Sequence, residues 1–190
     1  MIGILNITTI FIYLSFSSAT IGIISCFNGR PKLAVICLLI SGFANLIQKR
    51  FSNFDNNEEK EFITSIDLYD NIVSFCILPI TIGMSLLMRE LVFVPVYIIF
   101  ALASLIRLGY YRQKINGKYT IGTPIKITSL LIPFLYLLRG VNGFIYLYPF
   151  ALLVLSFTYV TKIKIKFTLK NSSYILFGLG LLELILVIFR

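Results

Sequence analysis

Along the chain, apolar runs of 15–25 residues alternate with short polar gaps. About 20 apolar residues cross a hydrocarbon core as a helix, with roughly 17–25 as the range. The pattern predicts seven helical spans, at about Ile2–Cys26, Leu33–Ile47, Ile72–Met88, Leu91–Ile106, Ile121–Leu138, Phe144–Thr161 and Tyr174–Phe189. Several are short, and one is short enough to be re-entrant, so the expected fold is an all-α integral membrane bundle of six to seven helices. It forms a single transmembrane domain over residues 1–190. The first run has no basic leader and is followed by further spans, so it reads as a helix and not as a signal peptide.

Composition narrows the class. Of 190 residues, 58% are apolar and 13% charged, and the mean hydropathy is +0.92. A soluble domain carries about 25% charged residues, so half that amount cannot cover a water-facing surface. The chain has no histidine, which removes Ser-His and Cys-His dyads and histidine-liganded metals together. Cys26, Cys37 and Cys76 are isolated in or beside apolar stretches and suit packing rather than redox or zinc chemistry.

The net charge of +9 does not point to nucleic acid, because the 17 Lys and Arg fall mainly in the gaps between apolar runs. Counted on alternate sides, 11 accompany the N-terminus, in loops at about 49–70, 107–120 and 162–171, and 5 lie opposite: Arg30, Lys32, Arg89, Arg139 and Arg190. Lys126 is left inside the start of the fifth span. The positive-inside rule makes the first side cytoplasmic, so an integral cell-membrane protein with a cytoplasmic N-terminus is expected. The acidic stretch Asp55–Glu61 reads as a solvated loop. In the last loop Lys162, Lys164 and Lys166 alternate with apolar residues, a pattern whose lysines snorkel toward lipid phosphates.

Polar side chains inside spans are costly and face the bundle interior. Ser41, Asn45 and Gln48 recur at i, i+4 and i+7, on one helical face. Asp67, Asp70, Asn71 and Ser74 form a second stripe at the start of the third span. Both stripes end at the same loop, so they are expected to face each other across a small polar pocket at the cytoplasmic level. Interhelical hydrogen bonding and helix capping are the plain alternatives. Glu183, ten residues into the last span, is either a proton- or ligand-handling group or a carboxylate paired within the bundle.

These stretches resemble a known family. Ser65–Gly83, SIDLYDNIVSFCILPITIG, is similar to the third helix of the CDP-alcohol phosphatidyltransferases, and most of all to the phosphatidylserine synthase branch, whose pattern reads roughly ELDSLADVVSFGVAPA. Leu105–Arg112, LIRLGYYR, resembles that branch's LRLARFN segment. Tyr119–Thr128, YTIGTPIKIT, resembles its F-x-GLPxPxA segment, and Thr161–Phe167, TKIKIKF, its closing SxIRYPSF stretch. The resemblance runs in order from about Ser17 to Lys170. It implies a membrane protein of phospholipid biosynthesis whose family reaction moves a phosphatidyl group from CDP-diacylglycerol to an alcohol and releases CMP.

The family signature is D-x-x-D-G-x-x-A-R followed by G-x-x-x-D-x-x-x-D. Its first three aspartates hold two divalent cations on the pyrophosphate, and the last is general base. Such cations favour carboxylate oxygens, and an attacking alcohol must lose its proton. Here residues 1–54 contain no Asp or Glu. Anchoring on Arg50 puts Gly42 and Asn45 at the first two aspartates, whereas anchoring on Phe43 puts Ala44 and Ile47 there. Ile63 replaces the second-half glycine, Asp67 keeps the third aspartate, and Asn71 stands at the general-base position.

The resemblance assigns substrate or phosphate contacts to Asn45, Gln48, Arg50, Arg107 and Arg112, and a metal to Asp67 with Asp70. Asp70 is the substitute base only if the helix is locally rotated, since it lies about 100° from Asn71. An active protein would need Mg²⁺ or Mn²⁺; an inactive one would need neither. One route to activity brings Asp55, Glu58, Glu59 or Glu61 back as ligands; another gives one cation to Asp67 and Asp70, with Asn45 and Gln48 adding neutral oxygens. Expected partners are membrane lipids including CDP-diacylglycerol, and a second copy or a catalytic relative in a dimer. The alternative to an enzyme is a non-catalytic lipid- or partner-binding subunit, and a third reading is a small-solute transporter component.

Overall fold

A computed structural model describes residues 6–51, 57–86, 90–113, 120–121, 123–161, 164–165 and 169–189, with side chains for all of these except 111–113, 120–121, 164–165 and 169–175. The helices are α1 (Ile7–Phe27), α2 (Pro31–Phe51), α3 (Asn57–Ile72), α4 (Leu78–Ser85), α5 (Val94–Gln113), α6 (Thr128–Leu137), α7 (Phe144–Val160) and α8 (Leu169–Phe189). Among the described residues four continuous helical segments are long and apolar enough to cross a membrane: Ile7–Phe27, Pro31–Phe51, Asn57–Ser85 and Leu91–Tyr110. Ile125–Leu137, Phe144–Val160 and Leu176–Phe189 are apolar but shorter. An all-helical, membrane-embedded protein is what these elements describe.

The helices run further than apolar run-length indicates. The expected loop at 49–70 is mostly helix: α2 continues to Phe51 and α3 begins at Asn57. The acidic stretch is thus corrected from solvated loop to helix start over Asn57–Glu61. Glu58 and Glu59 sit in the first turn of α3, where their charge complements the exposed N–H groups of the helix end. Likewise Arg107–Gln113 belongs to α5 and Leu169–Asn171 to α8. Asp55, Lys114, Lys118, Lys162 and Lys166 lie outside the described residues.

α1 and α2 form the most closely packed pair, joined by a tight turn at Asn28–Arg30. Gly29 takes φ +68° there, a left-handed conformation that suits glycine. α3 and α4 are one continuous helix interrupted by a π-turn over Val73–Ile77, where Leu78 N–H reaches back to Val73 O. Pro79 follows in the first turn of α4 and has no N–H to give the carbonyl four residues back, which accounts for the widening. This helix packs on α1 and α2; α5 packs on α7; and α6 and α8 close on α2. The core between them includes Leu38, Phe75, Leu78, Ile82, Phe100, Ile132, Tyr136, Tyr148 and Leu152. Tyr148 is fully buried and its hydroxyl donates to Pro79 O at 2.6 Å, so its polar end is satisfied inside the apolar layer. A two-residue antiparallel pairing sets Thr120 opposite Ile165 and Ile121 opposite Lys164.

Candidate functional site

The two polar stripes meet. Asn45 of α2 donates from Nδ2 to Asp70 Oδ2 at 2.9 Å. Asp70 is 0% exposed and also accepts from Ser15 Oγ of α1, 2.9 Å from each carboxylate oxygen, and from Ser74 Oγ at 2.8 Å. Ser15 Oγ lies 2.7 Å from both Asn45 Nδ2 and Ser41 Oγ. Three helices therefore place three donors around one carboxylate. A buried carboxylate is costly unless donors compensate it, and the serine, asparagine and aspartate side chains here satisfy one another.

A cation closes the cluster on its other side. Lys126, in the 3-10 turn Ile125–Ile127 before α6, donates to Asn45 Oδ1 at 2.5 Å and lies 3.7 Å from Asp67 Oδ1. Its position is fixed by several contacts. Arg107 Nε donates to Thr123 O at 2.9 Å, anchoring the segment that enters the turn. Tyr159 Oη and Thr128 Oγ1 are 2.6 Å apart, and Ser129 Oγ donates to Lys126 O at 2.8 Å. Gly42 lets α6 come this near: a Cβ at Gly42 would lie 2.5 Å from Ser129 Oγ.

The remaining expected residues divide into two sets. Asp67 and Asn71 pair along α3, with Asn71 Nδ2 donating to Asp67 Oδ2 at 3.0 Å and to Asp67 O at 2.6 Å. Gln48 is buried on the same face of α2 as Asn45. Among the described residues Gln48 Oε1 and Asn71 Oδ1 are buried acceptors with no hydrogen bond, and Asp67 Oδ1 has none besides its ion pair with Lys126. The contacts thus link Asn45 to Asp70 directly and to Asp67 and Asn71 through Lys126, with Gln48 buried one turn further along α2. Asp70 turns toward α1 and α2, while Asn71 turns back to Asp67.

Arg107 is buried, at 4% exposed, and holds the backbone ahead of Lys126. Arg50 is exposed at the end of α2, and the Arg112 side chain lies outside the described residues. Glu58 and Glu61 are exposed, and Glu59 accepts from Asn6 Nδ2 at 2.7 Å, tying α3 to the start of α1. Among the described residues no three His, Cys, Asp or Glu side chains converge as a metal-binding group.

Two members of the cluster were not expected. Ser15 sits in a run whose serines and threonines are too common to stand out. Lys126 carried a usable signal, being the one basic residue that the charge count could not assign to a loop, and an ionisable residue inside a span is a functional candidate by default. No protein-family model matches the chain, and no curated protein matches it.

Proposed function

We propose that this protein is a divergent relative of the CDP-alcohol phosphatidyltransferases, of the phosphatidylserine synthase-like branch, that works as a non-catalytic lipid- or partner-binding membrane subunit. The observation that carries this reading is the Lys126 ammonium lodged between Asn45 and Asp67.

Asn45 and Gln48 are separated by three positions on one buried face of α2, and Asp67 and Asn71 by four on α3, with Lys126 bridging Asn45 and Asp67. Those are the spacings of the D-x-x-D and D-x-x-x-D halves of the family signature. This register is favoured over the one anchored on Arg50, because Gly42 has no side chain to offer and packs against Ser129, and over the one anchored on Phe43, because Ala44 and Ile47 have no polar atom to offer. Three of the four signature carboxylates are then amides, and the fourth faces a lysine. In the same comparison, Lys126 stands where the GLPxPxA segment has its second proline.

Two divalent cations do not fit such a site. They would meet one carboxylate in place of four, and would have to displace an ammonium already held by that carboxylate. Asp70 does not make up the loss, since its oxygens are occupied by Ser15, Asn45 and Ser74 and the residue is fully enclosed. A general base must reach the proton it takes, and neither enclosed Asp70 nor the amide of Asn71 can serve.

The finer topology follows the same reading. The three shorter apolar helices add to the four long ones as further spans, giving six to seven in all. The N-terminus is cytoplasmic by the 11-to-5 charge asymmetry, in the cell membrane. The chain pairs with a second copy or with a catalytic relative, and only the relative supplies chemistry.

The test is CMP release by the purified protein in detergent with CDP-diacylglycerol, Mg²⁺ or Mn²⁺, and a panel of alcohols including serine. No release above the protein-free background is expected, with CDP-diacylglycerol or a co-purified partner raising the melting temperature. Metal-dependent release that disappears in Asp67→Ala would overturn the proposal.

A further inference from the structure

A second site lies at the far end of α2. A shallow cavity of about 400 Å³ opens between the α1–α2 turn and the turn that follows α6. It is roughly 20 Å along the helix from Asn45, at 1.5 Å per residue, and so is separate from the polar cluster.

Two distant stretches of chain bring three cations to this cavity: Arg30 and Lys32, on either side of Pro31, and Arg139. Among the described residues no acidic side chain lines it. Arg139 is preorganised, since its guanidinium lies over the Tyr136 ring, 4.6 Å from the centroid, and donates to the Tyr136 hydroxyl. Tyr136 is itself 1% exposed, so the platform is rigid. Lys32 Nζ donates to Ile188 O at 2.9 Å, which holds one of its three N–H donors at the end of α8 and directs the ammonium to a defined place. Leu33 and Ile36 supply an apolar wall beside the charges.

Three like charges gathered with no carboxylate among the described residues beside them repel one another unless an anion joins them. Arginine forks and an ammonium together match the oxygens of a phosphate group. The cavity is at the end of two helices that are long and apolar enough to cross a membrane, and its apolar wall continues from the charged rim along α2. We propose that this cavity binds the phosphate of an anionic phospholipid headgroup, with the start of the lipid's apolar part against Leu33 and Ile36.

The experiment measures the melting temperature of the purified protein in a neutral detergent during titration with dihexanoyl phosphatidylglycerol, dihexanoyl phosphatidylcholine or inorganic phosphate. The anionic lipid is expected to raise it at concentrations where the zwitterionic lipid and inorganic phosphate do not. The double variant Arg30→Gln, Arg139→Gln should weaken the apparent affinity at least fivefold. Arg30→Gln alone, at an exposed side chain, should weaken it about twofold. Lys60→Gln, on the exposed part of α3, should leave it unchanged. An unaltered response in the double variant, or equal responses to both lipids, would overturn the site. A response to inorganic phosphate equal to that of phosphatidylglycerol would overturn the lipid assignment.

Discussion

Lys126 donates to Asn45 across 2.5 Å, joining the turn before α6 to the middle of α2 at the point where α2 also grips Asp70. One asparagine thus accepts from a cation with its carbonyl and donates to a carboxylate with its amide nitrogen. Opposite charges are compensated through a neutral side chain, with no direct contact between Lys126 and Asp70 needed. Removing either end leaves a buried group without its partner, and that is the basis of the first two predictions.

Lys126→Met keeps the length and apolar stem of the side chain and deletes the ammonium. Asn45 Oδ1 then loses its donor, and Asp67 Oδ1 loses its ion pair with Lys126. Lys126 and Asp67 keep 15% and 25% of their side-chain exposure, so solvent screens part of the ion pair. The hydrogen bond from a charged donor is the larger loss, at about 1–3 kcal/mol. The variant should therefore melt several degrees lower in detergent. An unchanged melting temperature would mean that the ammonium contributes nothing to holding α6 on α2.

Asp70→Ala should cost more than Asp67→Ala. The first removes the common acceptor of Ser15, Asn45 and Ser74 in a fully buried place, leaving the Ser15 hydroxyl and Asn45 Nδ2 their bonds to each other and to Ser41, and each unmet buried polar group costs about 1–3 kcal/mol. The second removes a partly exposed carboxylate whose Oδ1 has only a 3.7 Å ion pair. Asp70→Asn tests the same point more finely, because its new N–H donors would face donors already present. Comparative thermal unfolding of the three variants checks the order, and equal losses for Asp70→Ala and Asp67→Ala would refute it.

The polar stripes were legible in the sequence because helical spacing alone places Ser41, Asn45 and Gln48 on one face, and Asp67, Asp70, Asn71 and Ser74 on another. That the faces meet followed from their sharing one connection. The helix ends were less legible: α3 starts in a polar, acidic stretch that apolar run-length reads as loop, although Glu58 and Glu59 are favoured at a helix N-terminus. The partners of Asp70 could not be read at all. Ser15 is one of many hydroxyl residues in α1, and Lys126 is 81 positions from Asn45, so its role depends on how closely α6 packs against α2.

That approach depends on Gly42. An added Cβ would lie 2.5 Å from Ser129 Oγ and 2.7 Å from Ser129 Cβ, too near for either helix to stay in place. Gly42→Ala should destabilise by about 1–3 kcal/mol, the usual range for overpacking, and should weaken the effect of Lys126→Met by moving the lysine off Asn45. Gly180→Ala is the contrast. Its nearest neighbours are Phe43 Cε1 and Cζ at 2.8 and 2.9 Å, the far end of a ring that can swing. The Gly180 variant should melt closer to the wild type, and Ser129→Gly should partly restore the Gly42 variant. A Gly42→Ala protein as stable as Gly180→Ala would show that the α2–α6 contact has slack.

Divalent metal provides the sharpest separation between a lysine-compensated site and a carboxylate one. The wild-type melting temperature should be insensitive to Mn²⁺ and to chelator, because Lys126 already supplies the positive charge beside Asp67. Asn45→Asp with Gln48→Asp adds two carboxylates on the face of α2 that meets Asp67, and Lys126→Ala removes the competing ammonium. The triple variant should be less stable than the wild type in chelator, since crowded carboxylates repel one another. Mn²⁺ should then raise its stability, by about 2.7 kcal/mol at a hundredfold excess over Kd. The double variant that retains Lys126 should respond less, because the lysine still occupies the space between residue 45 and Asp67. A wild-type protein that is itself stabilised by Mn²⁺ and destabilised by chelator would mean that one carboxylate and neighbouring amides suffice for a cation, and that Lys126 moves aside to admit it.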